Sequence, residues 1–438
     1  MIVLINLSFI GLITLDFLIN RYVCSPVFLF STLWMLICNL ASMQLFGLSF
    51  NFENTINIFF VGVISFSIGA IFIELLSTKK PRFTQKETIR DNTVKLNFTF
   101  LNLLLALVII GTVGQLFLSV RALMRGTSYL DIHSNLLGYN VSSDEGESSF
   151  FQIFNSFFQI FNSYFCGPAR FVLLPVAMIC WIKKIKKRFS FLTFLCFLIS
   201  IIASGGRIGI IYAIVQGIAV GLFYRIKITR KIRRRLFFCI LICAIGLFFL
   251  TVLRSNGVLR TAYFYFAIPA GLFQKYSQVI NNANFCSYGT AFLYPVFFVL
   301  NSVLSIFGIH SDFLTNLIYY VGYPQDVWVG SLAPNTSFNA FASLFYYFYM
   351  DGRVFGVIFE SCLFGILSSF IFKKAIRERN ENFFLWYLLI IQSIVGSFMI
   401  WQLGSTKLWV TFFMLAIAQI SFKHEPIRIK KRNTFSLF

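Results

Sequence analysis

Apolar runs alternate with short basic segments along almost the whole chain. A helix needs about 20 apolar residues to cross a hydrocarbon core ~30 Å thick. Runs of that order fall near 2–20, 26–48, 56–77, 98–120, 160–182, 189–204, 208–224, 236–253, 354–372, 383–402 and 405–422. The pattern predicts an all-α polytopic membrane protein, one integral membrane domain over 1–438 with about 11 transmembrane helices. Two segments interrupt it. Residues 121–159 read as an external loop leading into an interfacial helix, with "FFQIFNSFFQIFNSYF" (150–165) as the amphipathic stretch. Residues 254–353 form a large late segment, external or re-entrant. Two apolar stretches in it, 290–309 and 338–350, raise the count to 13 if both cross. Pro295, Asn301 and the many aromatics favour helices lying in or on the outer leaflet. No internal repeat is visible, so an inverted-repeat transporter has no support.

With 58% hydrophobic residues, a soluble core does not compete as an explanation. The net charge of +21 would suggest a nucleic-acid partner in a soluble protein, but its distribution decides otherwise. The basic residues gather in "KKPRFTQKETIR" (79–90), "KKIKKR" (183–188), "RIKITRKIRRR" (225–235), "KKAIRER" (373–379) and "RIKKR" (428–432). Such loops stay cytoplasmic and touch anionic headgroups. They put the N-terminus outside and the C-terminus inside. No aromatic-interleaved basic domain accompanies them, which excludes a nucleic-acid partner. The nine cysteines lie mostly inside apolar runs, as packing residues, and no spacing suggests zinc. No small-residue cleavage site follows a basic start, so no cleavable signal peptide is expected.

Of 37 Lys and Arg residues, nine escape the inner side: Arg121, Arg125, Arg170, Arg207, Arg254, Arg260, Lys275, Arg353 and Lys407. Function is sought there, because a planar guanidinium suits bidentate binding of phosphate. Arg207 follows Gly205 and Gly206 in "ASGGRIGI", bracketed by basic loops on both sides. The runs before and after it have about 16 and 17 residues, at the lower limit for a span. The turn is therefore expected to sit below the outer surface, where a helix N-terminus and the arginine make an anion site. The bland alternative is an arginine snorkelling to outer-leaflet phosphates. Arg170 falls about 12 residues, or ~18 Å, from the inner end of its run. It requires a cavity or a partner acid such as Glu360 or Asp16. Arg254 and Arg260 join the anion site or merely cap the eighth span, and Arg353 opens the ninth. Candidate general bases are Asp351, His310, Glu360 and Asp326, with N-capping as the competing role for Asp351. Tyr288, Tyr346 and Tyr347 lead the aromatics that could face a sugar.

Three stretches and the order of the apolar runs together carry a family likeness. The stretches are "SGGRIGII" (204–211), "YGTAFLYPVFF" (288–298) and "NTSFNAFASLFYYFYMDGRVFG" (335–356). On them the chain resembles the oligosaccharide repeat-unit polymerases, the Wzy-type O-antigen polymerases. The resemblance implies a GT-C-like glycosyltransferase of the bacterial cytoplasmic (inner) membrane, with its site facing the periplasm. Such enzymes transfer a glycan from polyprenyl diphosphate to a new lipid-linked repeat unit, with inversion and without a nucleotide sugar, cofactor or metal. Implied partners are the lipid-linked donor and acceptor, membrane lipids, a chain-length regulator and a flippase. In that chemistry Arg207, with Arg170, Arg254, Arg260 or Arg353, would hold the diphosphate. An O-antigen ligase on the same scaffold and a lipid-linked oligosaccharide flippase are the alternatives.

Overall fold

A computed structural model describes residues 1–76, 96–126, 149–204, 208–225, 258–334 and 336–420. The expected span at 236–253, most of the expected external loop, Arg254 and the Gly205–Gly206–Arg207 turn lie outside the described residues. The architecture is helical, with one two-stranded hairpin among the described residues. The helices are α1 (Ile2–Asn20), α2 (Pro26–Ser42), α3 (Phe52–Leu75), α4 (Phe98–Met124), α5 (Ser149–Phe161), α6 (Gly167–Ile182), α7 (Lys187–Ser204) and α8 (Ile208–Phe223). There follow α9 (Val258–Asn282), α10 (Tyr294–Ile306), α11 (Asp312–Asp326), strands β1 (Val329–Ala333) and β2 (Thr336–Phe338), α12 (Ser343–Phe372), α13 (Glu381–Val395) and α14 (Thr406–Gln419).

Local chemistry sets several of these boundaries. Ser25 precedes Pro26 and its hydroxyl accepts the Phe28 N–H at 3.4 Å. Asn97 accepts from Phe100 at 3.1 Å, and Asn380 accepts from Asn382 and Phe383. Each such cap satisfies a donor that the first helical turn cannot.

Among the described residues six stretches are long and apolar enough to cross a membrane: Ile2–Asn20, Phe52–Leu75, Phe98–Met124, Asn155–Ile182, Ser343–Arg377 and Glu381–Phe398. Four shorter apolar helices accompany them, among them α2, α8 and α14. This is an all-α, multi-pass membrane protein.

Polar side chains tie together the helix ends that adjoin the basic segments. The Asn20 amide donates to Asp16 at 2.8 Å and to Glu74, and the Ser25 hydroxyl donates to Asp16. Ser369 donates to Glu74 at 3.0 Å, while Arg377 donates to the Asn20 side chain at 3.0 Å. The two buried carboxylates thus bind α1, α2, α3 and the end of α12 into one knot. Lys183 pairs with Glu381 at 2.5 Å, and Tyr224 donates to the same carboxylate at 3.0 Å. Loops more than 150 residues apart in sequence therefore meet on one side, as parity requires.

The core is an aromatic seam between α3 and α12. Phe59, Phe66, Phe345 and Phe364 pack there with Phe30 and Trp34 from α2. Small residues bring the two backbones together, the usual device where lipid provides no hydrophobic drive. A Cβ on Gly69 would lie 2.2 Å from the Cys362 carbonyl oxygen, and one on Gly365 2.0 Å from that of Phe66.

Two expectations need correction. The amphipathic stretch does not lie apart from the following span: α5 runs through a π-helical turn (Asn162–Cys166) directly into α6. Pro168, which lacks an N–H, stands at the start of α6 and accommodates that widened turn. Residues 338–350 are not a separate leaflet helix. Most of them begin α12, which starts well before the expected ninth span and breaks at Gly352 and Arg353. The run 290–309 supplies only the 13-residue α10, about 20 Å long and too short to cross.

The segment from α9 to the start of α12 packs on the C-terminal end of α2 and the N-terminal end of α3. Tyr263 donates to the Leu40 carbonyl and accepts the Leu45 N–H, both at 2.9 Å. Gln274 accepts the Asn51 N–H at 2.8 Å, and Ser49 donates to the Leu332 carbonyl at 2.9 Å.

Candidate functional site

Two polar groupings lie on the expected outer side. The first is built around Arg170, one helical turn below the π-helical turn. Its guanidinium donates to the Asn162 side chain, to Gln115 Oε1 at 3.3 Å and to the Cys166 carbonyl at 3.3 Å. Gln115 Oε1 also accepts the Ser200 hydroxyl at 3.1 Å, and Ser119 donates to the Ala203 carbonyl at 2.9 Å. Three elements thus converge: α4, the α5–α6 junction and the last turn of α7. Among the described residues every acceptor of the arginine is a neutral oxygen. Among the described residues no carboxylate pairs with it: Asp16 is held by Ser25 and Asn20, and Glu360 faces Asp351. The expected ion pairs of Arg170 with those acids do not form, because each acid sits in another polar cluster.

The second grouping surrounds the break in α12. Asp351 is buried and lies just before it. Its carboxylate accepts the Ser287 hydroxyl at 2.6 Å and the backbone N–H groups of Ala291 at 2.9 Å and Phe292 at 2.7 Å. Its carbonyl accepts the Tyr288 N–H and the Cys286 thiol, both at 3.1 Å. Asp351 therefore caps the turn leading to α10 from across the fold, and the expected N-cap of its own helix is not what its side chain does. Glu360, also buried, brings its carboxyl within hydrogen-bonding reach of Asp351, and its Oε2 receives no donor.

No family model, curated protein or solved structure matches this chain. The site therefore rests on its own geometry.

The remaining candidates are dispersed. Arg353 has φ 55° and ψ −135°, a strained region for a residue with a side chain. Its guanidinium lies 5.4 Å from the Tyr349 ring centroid and reaches the Ile280 carbonyl at 3.5 Å, while Nη1 is buried without a partner. Arg260 is committed to structure: it donates to the Pro334 carbonyl at 2.8 Å and to Thr336 at 2.7 Å, pinning the β hairpin to α9. His310 is exposed in the turn between α10 and α11, away from the Asp351 cluster. Tyr346 and Tyr347 are buried, and Tyr346 donates to the Tyr320 carbonyl at 2.7 Å. They have no face left for a sugar, because α12 begins before them and encloses both. Tyr288 is 80% exposed, with φ 49°, at the tip of the loop that Asp351 holds. Among the described residues no His, Cys, Asp and Glu side chains gather into a set able to hold a metal ion.

Gln115, Asn162 and Ser200 were not anticipated from the sequence. Their only signal is polar character inside apolar runs, which averaging over a window conceals. Ser287 and the Ala291 and Phe292 amides carry no sequence signal at all.

Proposed function

We propose that the chain is a glycan polymerase of the bacterial cytoplasmic membrane, of the oligosaccharide repeat-unit type. It transfers a polyprenyl-diphosphate-linked chain as a block to the sugar of a new lipid-linked repeat unit at the outer face. The observation that carries this reading is the guanidinium of Arg170, fixed by neutral oxygens with no carboxylate among the described residues. It stands beside the end of α7, which the sequence continues with Gly205, Gly206 and Arg207. When the glycosidic bond breaks, negative charge grows on the departing diphosphate, and a cation fixed in advance stabilises it without reorganisation. A carboxylate beside the arginine would cancel that field.

Eleven crossings follow when α2, α7, α8, α14 and the run 236–253 are counted with the six long helices, with the N-terminus outside. A GT-C-like arrangement then places the large segment 258–342 over the outer ends. The acceptor hydroxyl attacks the anomeric carbon directly, inverting it, and passes its proton to a base on that segment. His310 and Asp326 are the candidate bases there.

Deletion of the gene and electrophoresis of the surface glycan test the reading. A single repeat unit on its anchor is the expected product. Free polymer without attachment would instead mean a ligase, and lipid-linked units trapped inside would mean a flippase.

A further inference from the structure

The contacts of Asp351 point away from its use as a base. Two backbone N–H groups and one hydroxyl already occupy its two oxygens. Its backbone carbonyl takes two more donors, and the Met350 carbonyl accepts the Ser287 N–H at 3.0 Å. All of these partners belong to the loop 286–292. Glu360 approaches from the lower part of α12, and among the described residues its Oε2 receives no donor. Asp351 and Glu360 are each 4% exposed. Two carboxyls in contact at that burial cannot both be ionised, so they share one proton. Hydrogen-bond inventory assigns it: Asp351, with three donors, is the anion, and Glu360, whose Oε2 receives none, carries the hydrogen.

We propose that Asp351 is a positioning residue that, with the protonated carboxyl of Glu360, clamps the loop 286–292 to the break in α12. The clamp deepens the glycan-polymerase reading: it presents Tyr288 and the Gly289 turn, at φ 49° and 86°, to the acceptor sugar. Glu360 acts as a hydrogen-bond donor and not as a proton-transfer group. An amide at 360 can replace it, since its NH2 also donates to Asp351. An apolar side chain there cannot. An amide at 351 fails, because its NH2 would face the Phe292 N–H.

Cys286 reports on the loop independently of any activity. It is partly exposed, and its thiol is bonded to the Asp351 carbonyl. The test is the rate of N-ethylmaleimide modification of Cys286 in the full-length protein in membranes, read by peptide mass spectrometry. Losing one or two hydrogen bonds of ~1 kcal/mol each opens the loop about tenfold more often. Asp351→Asn and Glu360→Leu are therefore expected to label about tenfold faster than the parent. Glu360→Gln is expected to keep the parent rate and the parent glycan chain length. Ser287→Ala, which leaves α12 untouched, is expected to fall between. A parent-like rate in Asp351→Asn, or fast labelling with lost polymer in Glu360→Gln, would overturn the clamp. A parent chain that makes no polymer would overturn the glycan reading alone, because the labelling rates judge the clamp without it.

Discussion

Replacing Arg170 with glutamine separates a functional cation from a structural one. The guanidinium makes three hydrogen bonds to neutral oxygens, two of them long at 3.3 Å. Charge-assisted bonds contribute ~1.5–3 kcal/mol each, with the long pair at the low end. Their loss is offset because the variant no longer removes a cation from water, an effect of several kcal/mol. Gln115 keeps its bond from Ser200, so one acceptor stays satisfied. The expected net change in stability is within about 2 kcal/mol. An arginine in a buried ion pair behaves differently: its removal strands a carboxylate and costs about 3–5 kcal/mol. For the reaction, loss of a fixed cation at a developing anion lowers the rate ~10²- to 10³-fold. Thermal unfolding of the purified protein in detergent and chain extension on lipid-linked repeat units in liposomes measure the two quantities. Near-normal stability with extension nearly abolished is the expected combination. Full extension in Arg170→Gln, or a large loss of stability, would refute the reasoning.

Further outcomes follow from the fold. Gly365→Ala pushes a Cβ against the Phe66 carbonyl and should destabilise by about 1–3 kcal/mol in detergent unfolding. Gly11→Ala meets nothing within 4 Å and should leave stability unchanged or raise it slightly. Lys183→Met leaves the buried Glu381 carboxylate with Tyr224 as its remaining donor and should cost about 2 kcal/mol. Adding Glu381→Gln should recover most of that loss, as a double-mutant cycle on unfolding would show. In a cysteine-depleted background, an impermeant maleimide applied to intact cells should label Tyr288→Cys, and Glu378→Cys only after permeabilisation. Labelling of both from outside would contradict the orientation.

The spans were legible because burial in lipid leaves a one-dimensional trace. The runs at 2–20, 98–120, 189–204 and 208–224 match α1, α4, α7 and α8 closely, since apolar length alone decides such helices. The start of α12 was not legible. Residues 343–351 are as aromatic as an interfacial stretch, and only packing against α3 and α9 makes them helix. Pairings escaped for a related reason: Asn20 and Glu74 are 54 residues apart, and Ser287 and Asp351 are 64 apart. Arg170 is expected to need a cavity or a partner acid, whereas its partners among the described residues are amides and a backbone carbonyl. Amide oxygens are inconspicuous in an apolar run, whereas a carboxylate attracts the eye. The aromatic candidates divided by depth, Tyr288 outside and Tyr346 and Tyr347 within, which residue type cannot foretell.

The depth of Arg170 also has an electrical consequence. In the proposed orientation it lies about 18 Å from the inner end of α6, at 1.5 Å per residue, or ~12 Å below the outer edge of a 30 Å core. An anion drawn to it from outside crosses roughly 40% of the membrane potential, against an inside-negative field. At about 2.3 kcal/mol per charge per 100 mV for a full crossing, that is ~0.9 kcal/mol for each negative charge. Energised cells should therefore hold a diphosphate there several-fold more weakly per charge than detergent micelles do. A ligand affinity measured without a voltage sets an upper bound on what the living membrane allows.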